Sequence, residues 1–293
     1  MLTVAGRTYG ALRFITSTIS SLLLVTLAFS GGLIQGQAQI LYGTDSGTGN
    51  LYRISTVDAS LSLVGNTGTG FLGGLEFAPD GRLFGFTLGT TPNLYQINPL
   101  TAAASLIGPL NIGFVFEGGL AFAPNGTAYG VNQGSDTAAN LFTLNLTTGQ
   151  ATIIGTLSGG SHDINGLGWR SDGNLVGLDR VSNSLLIINP ATAVVSPLAP
   201  LAPTVGGVGG MTDINDQGYF CTSGPGGSIP GSDQLFSFNA MTGAYSLIGS
   251  FPSTITGNGI SGLALIPEPS SAMLAALALT LWGTLSRRRG TIQ

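Results

Sequence analysis

An all-β fold is predicted: five small four-stranded sheets set in a ring, which the first and last strands of residues 39–266 close together. Three observations predict it. One short element recurs at a near-constant spacing along the chain. Each recurrence is followed by three further apolar runs in the same order. Between 39 and 266 no stretch of useful length shows the apolar period of an amphipathic helix.

The first element reads Gly74-Leu-Glu-Phe-Ala-Pro-Asp-Gly81 and returns as Gly119-Leu-Ala-Phe-Ala-Pro-Asn-Gly126. Degenerate copies run from Gly166 to Gly173 and, one residue longer, from Gly210 to Gly218; a last copy begins at Gly262 and runs into Pro267. The copies start 45, 47, 44 and 52 residues apart. A second run follows each of the first four: 83–85, 128–130, 175–177 and 219–221. A third lies at 93–97, 140–144, 184–188 and 234–238, and a fourth at 105–108, 152–155, 194–198 and 246–249. These runs are rich in Leu, Ile, Phe and Tyr and are separated by Asp-Gly, Asn-Gly and Thr-Gly turns, the signature of strands and hairpins.

Four strands per unit of about 45 residues is the period of a β-propeller blade. Residues 39–266 open in mid-unit, with runs at 41–43, 50–54 and 62–65 and no first strand before them, and they close on a lone first strand at 262–266. Together the two fragments make one blade, so the count is five, and pairing them removes the exposed sheet edges at the seam. The Gly-Leu-x-Phe strand is expected innermost, where strands converge and small residues fit. Six or seven blades would need further repeats, and the chain has no room for two more; a β-solenoid would use a rung shorter than 45 residues. Residues 41–266 resemble the broad class of propeller repeats with a G-L-x-F-x-P-x-G-x-L-Y pattern, which implies architecture and is nearly silent on activity.

The flanks carry an address. Arg7 and Arg13 precede an apolar stretch, Phe14 to Phe29, and small residues follow, with Gly36 and Ala38 placed for cleavage before Gln39. That is the layout of a signal peptide over 1–38, with Ala28-x-Ser30 as a second cleavage option and an uncleaved anchor as the alternative. At the other end, Pro267-Glu268-Pro269 precedes an apolar run, Ala272 to Leu285, and then Arg287, Arg288 and Arg289. As a helix those 14 residues reach about 21 Å, short of the ~30 Å hydrocarbon core; Ser270 to Ser286 extends it enough for a thin or tilted span. The arginines would hold that end on the cytoplasmic side. The plainer reading, a core helix, would show a polar stripe, and none is present. Residues 267–293 resemble the PEP-CTERM sorting tail that exosortase-type proteases process on exported proteins of Gram-negative bacteria. The resemblance implies Sec export, an exosortase-type partner, transient membrane insertion of the tail and a place at the cell surface or outside the cell. It implies no activity.

Charge excludes some partners. All nine basic residues are arginine, and five of them lie in the two flanks. Between 39 and 268, four arginines face all 13 acids, leaving a formal −9. A surface so acidic does not suit nucleic acid or anionic lipid. The one cysteine, Cys221, sits in an apolar run and reads as a buried thiol, so no internal disulfide is expected.

Propellers take ligands at the mouth where the innermost strands begin. The loops feeding them here, 68–73, 109–118, 156–165, 204–209 and 250–261, hold few polar groups: Asn111, Glu117, His162, Asp163, Asn165, Thr204, Thr254, Thr256 and Asn258. The sole histidine makes His162-Asp163 the sharpest pair. With Glu117 it could form a carboxylate–imidazole–carboxylate cluster for acid–base work or one metal; the plainer reading is a His-Asp pair capping a turn. Glu76 lies inside an inner strand in register with Ala121, Gly168, Thr212 and Ala264, a column too poor in acids for a glycosidase. Asp45, Thr87, Asn132, Asp179 and Ser223 recur where the second strand meets its loop, as Asx or Ser/Thr turns do. No calcium loop, zinc cluster, nucleophile elbow, P-loop or dinucleotide fingerprint is found, so no cofactor or metal is expected. Three function classes follow: a non-catalytic propeller binding exopolysaccharide or another surface protein; a secreted hydrolase or lyase acting on glycan or ester through His162, Asp163 and Glu117; and a purely structural matrix component. The first is favoured by the acid-poor axis, the Asn/Thr/Gly-rich loops and the tail.

Overall fold

The computed structural model describes residues 39–133, 139–201, 208–214, 216–222, 233–252, 254–255 and 259–266. The signal peptide and sorting tail expected from the sequence, Pro267 to Arg289 included, lie outside these residues, as do Thr204, Ser223, Thr256 and Asn258. Among the described residues no helix is long and apolar enough to cross a membrane.

Among the described residues twenty strands form five four-stranded antiparallel sheets, a five-bladed β-propeller. The seam blade runs β20-β1-β2-β3, with β1 (Ile40–Asp45), β2 (Asn50–Ser55), β3 (Leu61–Asn66) and β20 (Ile260–Leu265). The first and last strands therefore pair, with Tyr42 opposite Ala264. Each of the other blades takes its strands in chain order. The next begins with β4 (Leu72–Phe77) and β5 (Leu83–Thr87) and continues with β6 (Asn93–Ile97) and β7 (Ala104–Pro109). Then come β8 (Glu117–Phe122), β9 (Ala128–Gln133), β10 (Ala139–Leu144) and β11 (Ala151–Thr156). The fourth holds β12 (Ile164–Trp169), β13 (Leu175–Asp179), β14 (Ser184–Ile188) and β15 (Val195–Pro200). The fifth holds β16 (Val208–Ile214), β17 (Gln217–Thr222), β18 (Gln234–Asn239) and β19 (Tyr245–Ser250).

The innermost strands β4, β8, β12, β16 and β20 are the Gly-Leu-x-Phe elements, and their glycines explain why. A Cβ on Gly119 would stand 2.6 Å from the Leu167 nitrogen and 2.7 Å from the Gly166 carbonyl carbon, and one on Gly262 would stand 2.7 Å from the Leu75 Cβ. A Cβ on Gly166 would overlap Met211 in the same way. Neighbouring inner strands thus touch nearly backbone to side-chain root, a spacing that excludes any larger residue. The turn out of these strands is the expected one: Gly81, Gly126 and Gly173 all take a positive φ of 83–85°, which glycine adopts without steric cost.

The core is divided. Five apolar clusters lie between neighbouring blades, one per junction. Phe84, Phe86, Leu120 and Phe142 fill the junction of the second and third blades. Leu41, Ile54, Leu235, Ile260 and Leu263 fill that between the fifth and the seam blade, which also buries Cys221. Each fully buried large apolar side chain is worth about 1.5–3 kcal/mol, so stability is spread around the ring rather than concentrated in one blade.

Candidate functional site

The mouth at which the inner strands begin is built from two sets of loops: those entering each inner strand, and those leaving each second strand. In three blades the loop leaving the second strand is organised by a side chain that bonds within it. Asp45 Oδ1 accepts the Gly47 N–H at 2.9 Å and its Oδ2 accepts the Thr48 hydroxyl at 2.8 Å. Thr87 Oγ1 accepts the Asn93 N–H at 3.0 Å, and Asn132 Oδ1 accepts the Asn140 N–H at 3.3 Å. The repeated polar corner is therefore a cap on the turn, as its spacing suggested.

Asp179 occupies that corner in the fourth blade and does more. Its Oδ1 accepts the Asp163 N–H at 2.8 Å and the Val181 N–H at 3.2 Å. Its Oδ2 accepts the Ser182 hydroxyl at 2.6 Å and N–H at 3.2 Å, and stands 3.2 Å from His162 Nδ1. His162 is buried, and its Nε2 lies 2.9 Å from the Ser158 carbonyl oxygen. The imidazole's partner is thus Asp179, seventeen residues on in the chain, and the adjacent Asp163 turns elsewhere. Asp163 is fully buried and accepts from Arg180 Nε at 2.5 Å, with Nη2 also on the same oxygen, while its Oδ1 has no partner. Asn165 is buried beside them on β12. Glu117 opens β8 opposite Gln133, and its side chain lies outside what is described; Thr254 is exposed.

Environment separates the two aspartates. Burial pushes Asp163 up, outweighing the attraction and hydrogen bond of the Arg180 guanidinium, and the neighbouring Asp179 charge adds to the rise. Burial also acts on Asp179, but the Ser182 hydroxyl, the Asp163 N–H and His162 together overcome it and hold its carboxyl below the ordinary value. The arrangement ties the 158–163 loop to the β13 corner. Among the described residues no three His, Cys, Asp or Glu side chains converge as a metal site would require.

The axis is closed at the level of the inner-strand column. Glu76, Ala121, Gly168, Thr212 and Ala264 are all buried. Glu76 Oε2 accepts the Thr212 hydroxyl at 2.6 Å, a bond between β4 and β16, strands that β20 separates in the ring. Thr212 Oγ1 also accepts the Leu265 N–H at 3.3 Å. One acid and one hydroxyl therefore knit three inner strands together instead of lining an open channel.

Among the described residues of the mouth, two aromatic rings are exposed. The loop entering β8 is pinned at two points. Leu110 N–H donates to the Pro92 carbonyl at 2.9 Å, and Val115 exchanges both backbone bonds with Gly89 at 2.8 and 2.9 Å. Leu110 and Val115 are fully buried in the cluster around Phe86. Alternation along the extended backbone then turns the residues on either side of Val115 to solvent. Phe114 is 38% and Phe116 52% exposed, and their ring centroids lie 6.3 Å apart with planes inclined by 33°. Sequence reasoning passed over this pair; the Phe-Val-Phe alternation inside a mouth loop was the signal available.

No family model matches the chain, and no curated protein matches it. Solved structures do. A chain of a nidogen/laminin complex is similar over 78% of this chain and 98% of its own, at 13% identity and a TM-score of 0.51. A protein of unknown function from Bacteroides thetaiotaomicron VPI-5482 is similar over 80% of this chain and 66% of its own, at 17% identity and a TM-score of 0.50. TolB from Acinetobacter baumannii aligns over 83% of this chain and 60% of its own, at 14% identity and a TM-score of 0.46. At 13% and 17% identity, the first two likenesses concern the fold alone.

Proposed function

We propose that this chain is an exported cell-surface protein whose propeller is a non-catalytic binding module for a polysaccharide or another surface protein. The observation that carries the reading is the state of the mouth. His162 is engaged at both ring nitrogens and Asp163 is paired with Arg180, whereas residues 109–116 of the loop entering β8 carry no charge and expose two phenyl rings. An imidazole held between a carboxylate and a carbonyl is occupied at both nitrogens and supports the loop. The Arg cluster, apolar run and Pro-Glu-Pro of the tail, together with the N-terminal apolar stretch, support export and processing by an exosortase-type protease.

Two measurements test the proposal. Glycan and ester turnover is assayed for the wild type and for His162→Ala; no turnover by either is expected, and a hydrolysis that His162→Ala abolishes would overturn the non-catalytic reading. Mass spectrometry of the protein recovered from the cell surface should find an N-terminus near Gln39 and a C-terminus trimmed near Pro267. Recovery of the intact chain from the cytoplasm would remove the export proposal.

A further inference from the structure

We infer that Phe114 and Phe116 form a stacking platform for the apolar faces of sugar rings in an uncharged polysaccharide. The inference rests on the binding-module reading above and gives it a site and a ligand class. Three observations carry it.

The first is rigidity. Both rings sit on a backbone clamped by the Gly89–Val115 bridge and anchored by the buried Leu110 and Val115, so little ordering remains to be done when a ligand arrives. The second is geometry. Residues two apart on an extended segment point the same way, and centroids 6.3 Å apart with planes only 33° off parallel offer two adjacent faces to one side. Aromatic faces carry negative quadrupole density that attracts the polarised C–H groups of a pyranose face. A separation of this order lets each ring meet one sugar of an extended chain.

The third is the surroundings. Residues 88–92 and 109–116 contain no charged side chain, Glu117 being the first acid after the rings, while Thr90 and Thr91, next in the chain to the Gly89 that pairs with Val115, and Asn111 of the same loop are exposed and supply hydroxyl and amide groups for sugar hydroxyls. An acidic polymer would approach a region of formal charge −9 with nothing here to hold it. A stable protein partner buries on the order of 1,200 Å² or more, and two rings bordered by hydroxyls are a small, polar-edged patch by that standard.

The test uses the full chain in mild detergent and affinity electrophoresis through gels of soluble neutral glucan, galactomannan and xylan, with alginate as the acidic comparison. The wild type should be retarded by at least one neutral polymer and not by alginate. Phe114→Ala and Phe116→Ala should each weaken that retardation by about tenfold, as loss of an aromatic anchor does, with the melting temperature unchanged because both rings are exposed. Phe116→Trp should retain it. Neutral-glycan binding that both alanine variants preserve would overturn the platform and leave the binding-module reading intact. So would binding to alginate alone, or loss in the alanine variants of binding to a protein but to no glycan. No binding to any polysaccharide or surface protein would overturn the platform and the binding-module reading together.

Discussion

Five donors or ring nitrogens converge on the Asp179 carboxylate, and its neighbour Asp163 keeps one oxygen bare in the same buried region. The two residues should answer substitution in opposite ways. Asp179→Asn places an amide N–H₂ among donors and should cost about 1–3 kcal/mol of stability, read as a lower urea midpoint. Asp163→Asn removes a buried charge whose ion-pair partner among the described residues is a half-exposed arginine and should leave the midpoint at neutral pH unchanged or higher. The pH dependence has a definite sign. Asp179 is depressed below its ordinary 3.8, so its contribution is complete above that value and is lost as pH falls through the lower folded value. Asp163 is raised above 3.8, so its ionisation opposes folding as pH climbs through the raised value. The advantage of Asp163→Asn over the wild type should therefore vanish on acidification below 3.8. A midpoint ratio that stays constant across that range would contradict the assignment.

At the scale of elements, every blade repeats two devices that its sequence states only faintly. One is the turn between third and fourth strands. In four blades Asn98, Asn145, Asn189 and Asn239 each accept two backbone N–H groups, from the residues two and three further on, and in the seam blade the Ser55 hydroxyl accepts the Val57 N–H in their place. The turn then closes on Ala59, Ala102, Gly149, Ala193 or Gly243, all at positive φ. Asn189→Ala should cost about 1 kcal/mol, measured by thermal unfolding. The other device is a bulge. In each sheet the register of the outermost strand slips by one, leaving Val64, Ile107, Ile154, Leu198 and Ile248 as the extra residues. Bulges blunt an edge strand against pairing with other chains, a need made sharper here because only 8% of the residues are charged. The same strands expose Leu63, Leu106, Ile153 and Leu247. Replacing all four with Ser should shift stability by no more than ~0.5 kcal/mol per site while raising the concentration at which light scattering first detects aggregates.

The whole molecule is a ring, and its stability should be lost as one. β20 contributes Ile260, Leu263 and Leu265 to one junction cluster and Ala264 to the next, and its Leu265 N–H meets the Thr212 hydroxyl that also bonds Glu76. Deleting residues 260–266 removes the seam strand, uncovers β1 and opens two cores, so cooperative unfolding should disappear. A truncated chain that melts at the wild-type temperature would refute ring closure. Gly119→Val tests the same tightness from inside: its side chain would overlap the Gly166–Leu167 backbone, which cannot retreat without moving a blade. It should cost at least about 1–3 kcal/mol.

The sequence by itself determined the ring. Strand alternation, turn chemistry and the 45-residue period are local or periodic signals, and the half-units at 41–65 and 262–266 reveal the seam because a sheet edge must find a partner. It also determined the capping role of Asp45, Thr87 and Asn132, since each bonds within its own loop. Only the tertiary structure decided what meets what at long range. His162 faces Asp179 rather than Asp163 because adjacent residues on an extended chain point to opposite sides, while cross-strand register brings the corner of β13 to the start of β12. Glu76 reaches Thr212 across 136 residues because five inner strands converge on one axis. Phe114 and Phe116 remain outside because a single bridge spends the inward position of their loop on Val115. Periodicity is written along the chain, but a side chain's neighbour is set by how strands from distant repeats are wedged together.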